Sequence, residues 1–100
     1  MKTNRKLLKR VQEMEDRYNA VGRAVDGLDE AISEFKKTRP DLAGLKEYMD
    51  CGQWKVDFEA DEAGEIPAEV KRGVLSEDGL YDLLQRADRI VAFAKEVLGQ

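Results

Sequence analysis

The sequence predicts an all-α fold, an antiparallel helical bundle. Three observations lead there. Leu7, Val11, Met14, Tyr18, Val21, Val25, Leu28, Ile32 and Phe35 recur at spacings of four and three without a break. That is the pattern of a helix with one continuous apolar seam. Leu80, Leu84, Ala87, Val91, Ala94 and Leu98 repeat the same spacing near the other end of the chain. No stretch of weight alternates apolar and polar residues as a half-buried strand does.

The first helix is expected over about residues 5–37, with a seam running 28 residue steps from Leu7 to Phe35, or about 42 Å. Gly22 and Gly27 each weaken it by roughly 1 kcal/mol relative to Ala. Gly22 follows a seam position, where it permits a close helix approach or a mild kink. Pro40 disfavours helical backbone just before it, so the helix should stop near Thr38–Arg39. A second, short helix is expected over about residues 41–51, with Leu42, Leu45 and Met49 on one face and Gly52 as a left-handed stop.

Residues 53–66 show no sustained period, and Trp54, Phe58 and Ile66 are their main apolar points. The segment reads as an ordered acidic loop anchored by its two aromatics, with its acids facing water or the Lys71–Arg72 pair. Residues 67–73 suit a short turn of helix from Pro67 to Gly73. Ser76 is placed as the N-cap of a last helix over about 77–98. Leu83, Ile90 and Val97 widen the stripe of that helix, as expected where two neighbours are faced rather than one.

At 100 residues the chain has the size of one domain, and residues 1–100 are read as a single helical domain. A chain of this length needs no disulfide or metal to fold. Its two seams differ in length, about 42 Å against about 27 Å. Either the 53–75 segment covers the surplus or a second copy does, as a homodimer.

Net charge is −4, unevenly spread. Lys2, Arg5, Lys6, Lys9 and Arg10 fall in the first ten residues with no acid among them, while Asp57, Glu59, Asp61, Glu62 and Glu65 fall in nine positions with no base. An acidic chain is a poor generic nucleic-acid binder, and the basic end is the one stretch suited to phosphate or an acidic partner. Its alternative is a solvated helix end. The lone Cys51 allows no internal disulfide. There is no secretory-type apolar run and no stretch long enough to span a membrane. A soluble cytoplasmic protein is the expectation.

The stretch from Trp54 to Leu84, WKVDFEADEAGEIPAEVKRGVLSEDGLYDLL, resembles a family of short bacterial proteins catalogued only as a domain of unknown function. The long N-terminal heptad helix and the Pro40-Asp41-Leu42 start of the second helix are similar too. The resemblance covers nearly the whole chain. It implies a bacterial origin and a helical fold, and it supplies no catalytic residue.

The acids Asp57, Glu59, Asp61 and Glu62 are the candidate ligands for Ca²⁺ or Mg²⁺. Asp57, Glu59 and Asp61 match the first, third and fifth positions of a calcium-binding EF-hand loop. Glu62 stands where that loop needs Gly, however, and Ala68 where it needs a bidentate Glu. Catalytic equipment is otherwise sparse. The chain has no His, hence no imidazole base and no Ser-His or Cys-His nucleophile. Cys51 sits at a helix C-terminus, where the dipole does not favour a reactive thiolate. No phosphate-binding glycine loop and no zinc ligand set is present, and no catalytic or cofactor-binding residue is assigned. Two functional classes follow. One is a non-catalytic protein-interaction or regulatory module, engaging a protein partner or a second copy through the heptad seams. The other is a divalent-metal-binding protein that uses residues 57–62, extending to a metal-dependent hydrolase of phosphorylated substrates. That hydrolase would need carboxylate pairs at helical spacing on facing helices. Glu47 with Asp50 has the spacing, but Glu59 with Glu62 has it in a segment read as a loop, and the order of the pairs is reversed.

Overall fold

The computed structural model describes residues 4–99, so Lys2 of the basic stretch lies outside the described residues. The chain is all-helical, with a long N-terminal helix, a short second helix and a C-terminal helix. These are α1 (Arg5–Asp50), α2 (Gln53–Glu62) and α3 (Gly79–Leu98), with one 3₁₀ turn at Gly73–Leu75. Two compact units divide between Arg39 and Pro40.

In the first unit α1 begins on a cap. The Leu7 N–H donates to Asn4 Oδ1 at 3.0 Å and the Leu8 N–H to the Asn4 carbonyl at 3.0 Å. An Asn side chain here satisfies one of the donors that a helix start leaves open. Every seam residue from Leu7 to Phe35 is exposed. A single helix has nothing within its own unit to bury a seam against.

The expected stop at Thr38–Arg39 does not occur. α1 continues through Pro40 to Asp50, so residues 41–51 are its last turns rather than a separate helix. Pro40 has no N–H for the Lys36 carbonyl, a loss worth about 3 kcal/mol in a helix interior. The Thr38 hydroxyl donates to the Phe35 carbonyl at 2.9 Å, adding a bond to the turn before the proline. Beyond it, half-buried Leu42, Leu45, Tyr48 and Met49 hold the last turns by packing. The bias against helix before a proline is real but yields to such packing. Gly52 ends α1 as expected, with φ +86°.

The second unit holds the core, and Leu75 and Leu80 are its buried side chains. Trp54, Phe58, Ile66, Leu84, Ala87, Val91 and Ala94 of the same unit are half-buried. The acidic segment is not a loop over its first part, since residues 53–62 are α2. Gly64, at φ +80°, closes that helix. The Gly64 N–H reaches the Asp61 carbonyl and the Glu65 N–H the Ala60 carbonyl, both at 3.0 Å. Those two bonds are the Schellman pair that ends a helix on a left-handed residue.

Residues 67–73 form no α-helix. A turn from Pro67 to Val70 leads into the 3₁₀ turn instead. Ser76 closes that 3₁₀ turn rather than opening α3, with its Oγ donating to the Gly73 carbonyl at 2.8 Å. α3 starts later, at Gly79, on Asp78 without a side-chain cap bond.

The glycines separate two effects. Gly27 is helical with open space around it, so Gly27→Ala should stabilise α1 by roughly 0.5–1 kcal/mol. Gly52 also faces open space but at φ +86°, so Gly52→Ala should cost about 1–2 kcal/mol from backbone strain alone. Far-UV circular dichroism during urea unfolding checks both; equal effects of the two changes would contradict the assignment.

Candidate functional site

Two kinds of surface are candidates: the acidic helix α2 and the exposed apolar stripes. On α2, successive residues turn by about 100°. Asp57 and Asp61 therefore share one side and Glu59 and Glu62 another.

Asp57 accepts two hydrogen bonds, from Tyr48 Oη at 2.6 Å and from Gln53 Nε2 at 2.9 Å. These bonds favour the ionised carboxylate, that from Tyr48 most, and hold Asp57 below the usual carboxylate range. Tyr48 is pushed up to about 12, first by burial, then by donating to Asp57 and by the carboxylate's charge. Asp61 is engaged separately. Arg72 Nε lies 3.2 Å from its Oδ1, and Arg72 Nη1 also donates to the Ile66 and Pro67 carbonyls at 3.1 and 3.2 Å. One guanidinium thus ties the end of α2 to the segment that follows it, as the reading of acids facing the Lys71–Arg72 pair expects.

The Glu59 and Glu62 side chains make no hydrogen bond or ion pair among the described residues. They rim a shallow depression floored by Met49, Trp54 and Phe58. Trp54 and Phe58 stack with centroids 5.0 Å apart and planes 16° apart, and Trp54 Nε1 donates to the Val74 carbonyl at 2.8 Å. Both aromatics anchor the segment, as expected, but from a helix. Among the described residues, no group of three or more Asp, Glu, Cys or His side chains is placed to hold a metal ion.

The apolar surfaces are larger. Along α1 the seam exposure runs from 41% at Leu28 and Phe35 to 75% at Tyr18. Gly22 leaves a shallow hollow beside Tyr18, Val21 and Val25. On α3 the stripe divides. Leu80, Leu84, Ala87, Val91 and Ala94 face the unit's interior, while Leu83, Ile90, Phe93 and Val97 form an exposed row beside them. Phe93 went unremarked in the sequence, although it lies within one turn of Ile90 and Val97. Arg72 and the Tyr48–Asp57 bond are tertiary contacts with no periodic signal.

The chain belongs to the DUF4298 family, a domain of unknown function whose model matches residues 11–96. No curated protein and no solved structure matches it. None of the described helices is long and apolar enough to cross a membrane.

The Tyr48–Asp57 bond has a pH signature. Raising Tyr48 stabilises the fold below about pH 10, and that contribution is lost as pH rises toward 12. Lowering Asp57 stabilises it above the ordinary carboxylate range and is lost as pH falls through the lowered value. In an ultraviolet absorbance titration, Asp57→Asn should move the latest tyrosine transition down from about 12. An unchanged transition would show that burial alone sets it.

Proposed function

We propose that this protein is a non-catalytic interaction module that binds a helix of a protein partner along the α1 seam. One observation carries the reading: an unbroken row of nine apolar residues at 4-3 spacing, each at least 41% exposed. Helices of globular proteins owe most of their stability to packing an amphipathic face. Four heptads of such a face match a coiled-coil partner better than a solvated surface. The exposed row Leu83, Ile90, Phe93 and Val97 on α3 is a second apolar surface of the same kind. A cytoplasmic place and a bacterial source fit this reading, through the lone cysteine and the family resemblance.

The metal-binding alternative has less support. Asp57 and Asp61 already serve as acceptors for Tyr48, Gln53 and Arg72, and Glu59 and Glu62 turn away from them.

Photocrosslinking in cells that express the protein tests the reading. A benzoylphenylalanine in place of Tyr18, on the seam, should give a discrete protein adduct. The same group in place of Asp16, on the outer face, should give none. Absence of any adduct at Tyr18 would overturn the interaction reading.

A further inference from the structure

We propose that the helix occupying the α1 seam is α1 of a second copy, parallel and in register. This rests on the reading of the seam as a protein-binding surface and adds the occupant and its direction.

The seam spacing sets the heptad positions. Val11, Tyr18, Val25 and Ile32 take a positions, and Leu7, Met14, Val21, Leu28 and Phe35 take d positions. Three of the four a residues are β-branched, and Leu and Met hold most of the d layers. β-Branched residues at a with Leu at d favour two parallel strands.

Charge points the same way. The flanking g positions are Arg10, Arg17, Ala24 and Ala31, and the e positions from Glu15 onward are Glu15, Gly22, Asp29 and Lys36. A parallel pair sets each g residue beside the e residue five positions later in the second copy. Arg10 then meets Glu15 of the second copy, twice by symmetry. The remaining pairs are Arg17 with Gly22, Ala24 with Asp29 and Ala31 with Lys36, none of them like-charged. An antiparallel pair sets e against e. The register with Val11 against Phe35 brings Glu15 against Asp29 of the second copy, like against like. The register with Val11 against Leu28 pairs Glu15 with Gly22, so neither offers the Arg10–Glu15 ion pair. The other bases of the first turns, Arg5, Lys6 and Lys9, fall at b, c and f, away from the seam. Gly22, with open space around it, lets the two helices approach closely beside the Tyr18 and Val25 layers.

The area is sufficient. Eighteen half-exposed side chains, nine from each copy, hold on the order of 1,000 Å² of apolar surface, the size at which an interface becomes specific.

A thiol placed at Val11 distinguishes the arrangements. The full chain carries Cys51→Ser, to remove the native thiol, together with Val11→Cys. In a parallel pair the two new thiols face each other across one a layer. In an antiparallel pair they lie on the order of 30 Å apart. Paired thiols experience an effective concentration on the order of millimolar. In a glutathione redox buffer at micromolar protein, the disulfide-linked dimer should therefore form on the order of a hundred-fold faster than for Asp16→Cys on the outer face. Far-UV circular dichroism confirms that the helix is kept.

A mixed disulfide of Val11→Cys chains with Leu28→Cys or with Phe35→Cys chains, without a disulfide between two Val11→Cys chains, would overturn the parallel direction. No preference for either over Asp16→Cys would overturn self-pairing. In that case, a photoadduct at Tyr18 with a different protein would leave the interaction reading standing.

Discussion

The structure turns on one constraint: a helix with a continuous apolar stripe must cover it. Transfer of apolar surface out of water is worth about 25 cal/mol per Å², and nine side chains of the α1 seam stand exposed. The only ion pair among the described residues of the first unit is the exposed Lys37–Glu34 contact at 3.3 Å. Pairs of that kind add only about 0.3–0.5 kcal/mol. Local interactions therefore do little for the first unit, and packing of its seam against another helix is the stabilising term available to it.

The second unit answers the same problem differently. Its buried core is two leucines, so polar contacts carry much of its order. Tyr48 with Asp57 joins the last turns of α1 to α2, Trp54 with Val74 joins α2 to the 3₁₀ turn, and Arg72 joins α2 to the segment that follows it. Lys46 with Asp88, at 3.3 Å, joins α1 to α3. Two of the acids that make the segment look like a cation site are thereby employed as acceptors. Such contacts suit a unit with few buried apolar side chains.

What the sequence made legible follows from which signals are periodic. The α1 seam, most of α3 and the Gly52 stop were readable because spacing and a glycine at positive φ report on local backbone. α2 was not. Its only large apolar pair is Trp54 and Phe58, too short a series to show a helical period, although their i, i+4 spacing and Gly64 mark the helix in retrospect. Pro40 misled because the penalty it imposes is local, while the packing of Leu42, Leu45 and Met49 that outweighs it is tertiary. Ser76 misled for a related reason: a hydroxyl can close a 3₁₀ turn as well as open a helix. The candidate acids were found by composition, but their partners Tyr48 and Gln53 were not, since a contact between helices leaves no mark on spacing.

Sedimentation equilibrium of the unmodified chain tests the central claim most directly. A seam covered by a second copy predicts a mass of twice 11.3 kDa, falling toward the single-chain value on dilution and in a Val25→Lys chain. A mass of 11.3 kDa at every concentration would contradict it.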